Sequence, residues 1–125
     1  MQPLEDLRFE NIKGLFDLSE TLIGDAYLFN KKLKRKVLVN NYLVSKERDL
    51  LILSEYIKPG PVKVLGIFNA ESNQPKFRIL ICELIKHEFY EQKASEKALF
   101  IKRIFNNKII YYEAFHGNKE ELKKV

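Results

Sequence analysis

The sequence predicts an α+β fold whose core lies between Ser45 and Lys93. Three observations lead there. An apolar-periodic segment ends at Lys58-Pro59-Gly60-Pro61, a helix stop. A polar connector, Glu71-Ser72-Asn73-Gln74-Pro75, stands before the apolar run Phe77 to Ile85 and has the composition of a helix start. From Phe89 onward, β-branched and aromatic residues dominate. The order predicted for the central stretch is helix, turn, helix, turn, helix, strand.

Pro3 to Ile23 places Leu4, Leu7, Ile12, Leu15, Phe16, Leu18, Leu22 and Ile23 at partly helical spacing, broken by Gly14, and predicts one or two short helices. Ala26 to Asn30 reads as a short strand and Val37 to Val44 as a second. The basic run Lys31-Lys32-Leu33-Lys34-Arg35-Lys36 would then form the turn between them. Ser45 suits an N-cap, and Leu50, Leu51, Leu53, Tyr56 and Ile57 form an apolar face behind it. Val62 to Ala70 fits either a strand or a short helix. Phe77 to Ile85 is equally two-sided, because Phe77, Leu80, Ile81 and Leu84 share a helix face while the run is also β-rich. The connector favours helix, since Ser72 or Asn73 can cap and Pro75 falls in a first turn. Phe89 to Lys93 is extended. Ala98 to Phe105 and Lys108 to Phe115 flank Asn106-Asn107, which suits a hairpin turn because Asn tolerates positive φ.

At 125 residues and 46% hydrophobic, one domain with a sizeable core is expected over residues 1–125. The single cysteine, Cys82, leaves no partner for an internal disulfide and fits a reducing compartment. No basic, apolar leader opens the chain and no apolar run reaches membrane-spanning length. A soluble, cytoplasmic protein is the expectation. The net charge of +5 is unevenly spread: residues 1–30 carry −4, 31–48 carry +6, 49–92 carry −1 and 93–125 carry +4. Two basic blocks flanking a neutral centre fit phosphate contact, and equally a solvated, solubilising surface.

The central stretch resembles a winged helix-turn-helix domain. LLILSEYI, VKVLGIF and PKFRILICELI stand as its three helices, and KHEFYEQK as the strand leading to a wing. Glu88 stands where that superfamily commonly has Gly. The resemblance implies a winged-helix core over residues 45–115, with residues 1–44 as an N-terminal helical and β-hairpin extension. It further implies a DNA-binding regulator of transcription or replication, acting as a dimer on duplex DNA or another nucleic acid. Gln74, Lys76 and Arg78 would face the major groove, with Asn73 beside them. Lys93, Lys97, Lys102, Arg103 and Lys108 would reach phosphates from the wing. Lys31, Lys32, Lys34, Arg35 and Lys36 would add backbone grip. A rival fold makes Ala26–Asn30, Val37–Val44, Val62–Asn69 and Phe77–Ile85 all strands of an α/β sheet domain of the roadblock or longin kind.

A third helix that is apolar nearly all round is normally buried. This supports an alternative, a non-catalytic protein–protein interaction subunit, with Ile79, Cys82, Tyr111 and Tyr112 at the interface. No catalytic residue, metal site or cofactor is expected. Glu91-Gln92-Lys93 has the Glu-x-Lys spacing of one metal-dependent nuclease superfamily, but of the upstream acids that could complete it, Glu83 and Glu71, neither lies at the end of a convincing strand. His87 and His116 lack ligand spacing, and Cys82 within ILICELI reads as a small buried hydrophobe.

Overall fold

The computed structural model describes residues 4–15, 18–39, 42–45, 47–58, 75–97 and 122–125. Among them every regular element is a strand: β1 (Leu7–Leu15), β2 (Leu18–Leu28), β3 (Lys31–Lys32), β4 (Val37–Leu38), β5 (Leu43–Val44), β6 (Leu50–Ile57), β7 (Lys76–Glu83), β8 (Glu88–Gln92), β9 (Glu96–Lys97) and β10 (Leu122–Lys124). They form one sheet in the order β1-β2-β4-β6-β7-β8-β10, with β3 added on β2, β5 on β6 and β9 on β7. All pairings are antiparallel.

This corrects the predicted α+β class and the winged helix-turn-helix. The first expected helix, LLILSEYI, is β6, and the core of the third, PKFRILICELI, is β7. The two strands pair along their full length, from Leu50↔Glu83 to Ile57↔Lys76. The strand assignment of Phe77–Ile85 is the one adopted, inside an all-antiparallel sheet and not an α/β domain. Pro75 precedes the first residue of β7, where its missing N–H takes no ladder bond. The second expected helix, VKVLGIF, and the hairpin at Asn106-Asn107 lie outside the described residues. Among the described residues, no helix is long and apolar enough to cross a membrane.

Both faces of the central strands are buried, so their polarity does not alternate. One face carries Leu15, Ile23, Leu38, Leu43, Ile52, Phe77, Ile79 and Ile81. The other carries Ala26, Leu28, Val37, Leu51, Leu53, Leu80 and Cys82. Each fully buried Val, Leu, Ile or Phe among them contributes about 1.5–3 kcal/mol. On the second face the sheet coils until strands distant in its order touch. The rings of Phe29, after β2, and His87, before β8, stack at 4.1 Å and 10°.

The N-terminal helices predicted over Pro3–Ile23 are a hairpin of β1 and β2. Its register slips between Glu10 and Lys13, where Asn11 and Ile12 oppose Gly24 alone and Asn11 takes φ 55°. The slip breaks the two-residue alternation: Leu7 and Phe9 face inward, Ile12 is half exposed, and Leu15 is buried again. Gly24 suits this close approach, because a Cβ would stand 3.0 Å from the Glu10 carbonyl oxygen and 3.2 Å from Ile12 Cγ1, tighter than ordinary van der Waals contact.

The chain reverses at Phe29-Asn30, ahead of the basic run, and both residues have positive φ (53° and 63°). That is the two-residue turn with a matching right-handed twist, usually filled by Asn-Gly. Lys31 and Lys32 therefore belong to a strand and not to the tip of a turn. Ser45 caps no helix. Its Oγ accepts from the N–H groups of Asp49 (3.1 Å) and Leu50 (2.9 Å) and donates to Asp49 Oδ1 (2.6 Å), fixing the entry to β6.

Candidate functional site

Glu55 is the one charged residue of LLILSEYI, and Arg78 stands opposite it in the next strand. Strand geometry puts both on the face that carries Leu53 and Leu80. Glu91 of β8 pairs with Leu80, so it points to the same face. Arg35, two residues before Val37, reaches in from the segment leading to β4. Four charged side chains thus meet in the middle of an apolar surface.

Glu91 is the hub. Its Oε1 lies 3.3 Å from Arg35 Nη1, and its Oε2 lies 3.4 Å from Arg78 Nη1 and 3.7 Å from Lys123 Nζ. The same Arg35 nitrogen lies 3.9 Å from Glu55 Oε2. Glu55 is 3% exposed, and its Oε1 has no hydrogen-bond partner among the described residues; Arg78 Nε is likewise buried and unpartnered. Burial, and then the nearby Glu91 carboxylate, push the Glu55 carboxyl up to about 7, against the opposing pull of Arg35 and Arg78. Near neutrality Glu55 is therefore divided between a neutral acid and a carboxylate.

Above this floor lies a cavity of about 450 Å³. Leu28, Phe29, Leu33, Leu80 and Phe89 give it apolar walls, and Glu55 and Glu91 reach it from below. Lys31, Lys32, Lys34 and His87 stand exposed at its mouth. Its size and mostly apolar lining with few polar groups are those of a small-molecule site. Among the described residues, no group of His, Cys, Asp and Glu could hold a metal. Cys82 is buried, and burial raises its thiol far above the ordinary range, so it is not a nucleophile in waiting.

The structure separates the residues expected to hold nucleic acid. Lys31, Lys32 and Lys34 are exposed and adjacent. Arg35 turns inward to Glu55 and Glu91, and Lys36 turns to the opposite face, where its Nζ lies 3.2 Å from Asp25 Oδ1. Asn11 Nδ2 donates to the other oxygen of Asp25 at 2.9 Å, and this bond is the main reason the Asp25 carboxyl titrates below its ordinary value. Arg78, expected to read bases from a helix, is mostly buried against Glu91. Lys76 is exposed at the start of β7, with Lys97 of β9 as its cross-strand partner, and Lys93 is exposed after β8. Gln74, Lys102, Arg103 and Lys108 lie outside the described residues.

Of the expected interface residues, Ile79 (0% exposed) and Cys82 (1%) are core and cannot meet a partner; a two-faced strand buries what a helix would have turned outward. Tyr111 and Tyr112 lie outside the described residues. Glu91, considered with Lys93 as a nuclease pair, is instead bound up with Arg35 and Arg78. Glu55 escaped the sequence reading. The available signal was a charge of opposite sign within each of two apolar runs, Glu55 in the first and Arg78 in the second.

Comparison of the chain with family models, with curated proteins and with solved structures finds no match.

Proposed function

We propose that this protein binds a small amphiphilic anion, without catalysis, in the cavity lined by Glu55 and Glu91 on one side and by Lys31, Lys32 and Lys34 on the other. The observation that carries this reading is the cavity itself: about 450 Å³, apolar in its walls, with cations concentrated at its opening. An apolar body gains from leaving water, while an anionic head stays at the mouth beside Lys31, Lys32 and Lys34. Among the described residues that line the cavity, none is an activated nucleophile, which favours binding over turnover.

Calorimetric titration with decanoate, and with decanol as its uncharged counterpart, tests the reading. Decanoate binds with one site per chain and more tightly than decanol. Replacing Lys31, Lys32 and Lys34 together by Ala weakens decanoate about tenfold, as three partly screened contacts should, and leaves decanol unchanged. Failure of both ligands to bind overturns the proposal.

The three exposed lysines also favour a second reading, contact with nucleic-acid phosphates. It predicts salt-sensitive binding to random duplex that the same triple variant abolishes. Absence of binding at low salt removes it.

A further inference from the structure

At the cavity mouth two distant parts of the sheet meet through side chains. The rings of Phe29 and His87 stack at 4.1 Å and 10°, and both residues line the cavity. Two residues after Phe29 the basic run begins, with Lys31, Lys32 and Lys34 exposed. Two residues before His87 stands Ile85, in the turn between β7 and β8. Ile85 is 82% exposed, the most exposed large hydrophobic among the described residues, and exposed Lys86 lies between it and His87. The stack thus brings an uncovered isoleucine and four lysines beside one opening. Single exposed apolar residues are common; this one stands out by its place among cations at the mouth of an apolar cavity. Asp6, exposed beside Phe29 and accepting its N–H at 3.1 Å through the carbonyl oxygen, and Glu83, at the end of β7, offset part of the charge. Glu88 is already engaged, by Tyr90 Oη at 2.8 Å and Lys124 Nζ at 3.4 Å.

Extending the amphiphile reading above, we infer that this rim docks the protein on an anionic lipid bilayer, with Ile85 entering the headgroup region and Lys31, Lys32, Lys34 and Lys86 facing the anionic headgroups. An apolar side chain at the acyl boundary and cations against anionic lipids are the two contributions that hold a peripheral protein on a membrane. Here one rim carries both. The turn can enter the interface without unpairing the sheet, because the β7–β8 ladder ends at Glu83↔Glu88. The cavity then opens toward the bilayer, the phase in which amphiphilic anions collect. A nucleic-acid backbone would use the lysines but gives Ile85 no apolar phase to enter.

The test is sedimentation of the full chain with vesicles of equal parts phosphatidylcholine and phosphatidylserine, beside vesicles of phosphatidylcholine alone. The chain pellets with the anionic vesicles and not with the neutral ones, and added salt releases it. Lys86→Ala weakens this binding about fivefold and Ile85→Asp about tenfold. Neither residue lines the cavity, so decanoate binds both variants as it binds the wild type. The sequence holds no tryptophan, so Ile85→Trp adds a single fluorescent reporter. Its emission shifts to the blue on anionic vesicles as the ring leaves water. No pelleting with anionic vesicles overturns the inference and leaves the amphiphile reading to the decanoate titration. Pelleting that Ile85→Asp does not weaken, with no shift from Ile85→Trp, overturns it as well, because the membrane then meets another face. Binding to random duplex without binding to vesicles assigns the lysines to nucleic acid and also overturns it.

Discussion

Glu55→Gln separates the ionisation of Glu55 from its shape. In the folded protein this carboxyl is pushed from an ordinary 4.5 up to about 7, first by burial and then by Glu91. Between those values the unfolded chain has released the proton and the folded chain still holds it. The unfolded state therefore binds fewer protons, and stability falls as pH rises through this window, with the loss complete above about 7. The full shift corresponds to about 3 kcal/mol, and solvent screening around the partly exposed Arg35 reduces the working figure to about 2–3 kcal/mol. Gln resembles the protonated acid and does not titrate. The two proteins should match at about pH 4, and by about pH 8 the variant should be the more stable by that amount. For a chain of this length this is about 10 °C in Tm. Urea unfolding of both proteins across the pH range measures it, because groups common to the two cancel in the difference. A difference that stays constant with pH would show that Glu55 is not held in a buried, carboxylate-facing position, and the charged floor as described would be wrong.

Other perturbations follow from the same geometry. Gly24→Ala forces a Cβ to 3.0 Å from the Glu10 carbonyl oxygen at the β1–β2 bulge, and should cost about 1–3 kcal/mol by thermal or urea unfolding; an unchanged midpoint would mean the strands approach less closely. Arg78→Met removes one cation from Glu91 but leaves Arg35 and Lys123, so the cost should be about 2 kcal/mol, below that of a fully severed buried pair. Combined with Glu91→Gln it should cost less than the sum of the two single changes, and strict additivity would deny the contact.

Part of the fold was legible in the sequence. The extended character of Phe89–Lys93 corresponds to β8, and strand character within Ala26–Asn30 and Val37–Val44 to the end of β2 and to β4 and β5. The central pair was not, for a physical reason. Phe77, Ile79 and Ile81 pack on one face of β7, and Leu80 and Cys82 on the other. A strand covered on both faces loses the alternation that identifies it, and Phe77, Leu80, Ile81 and Leu84 then fall at helical spacing by coincidence. In β1 a bulge shifts the phase between Glu10 and Lys13, producing a similar false helix. The site depended on β6 and β7 being strands, because only the sheet brings Glu55, Arg78 and Glu91 to one face. Their residue types were visible in advance and their convergence was not. The basic run was visible too, but Arg35 and Lys36 point to opposite faces as neighbours in extended chain do, which divides what looked like one patch.

The most direct test of the cavity is a titration of isotopically labelled protein with decanoate, followed through backbone amide and methyl resonances. Binding in the cavity should move the signals of Leu28, Phe29, Leu33, Leu80 and Phe89 together and to saturation. The signals of Ile23, Leu38, Ile52 and Ile79, on the opposite face, should move little. Saturable changes centred on that opposite face, or no changes at all, would contradict the account.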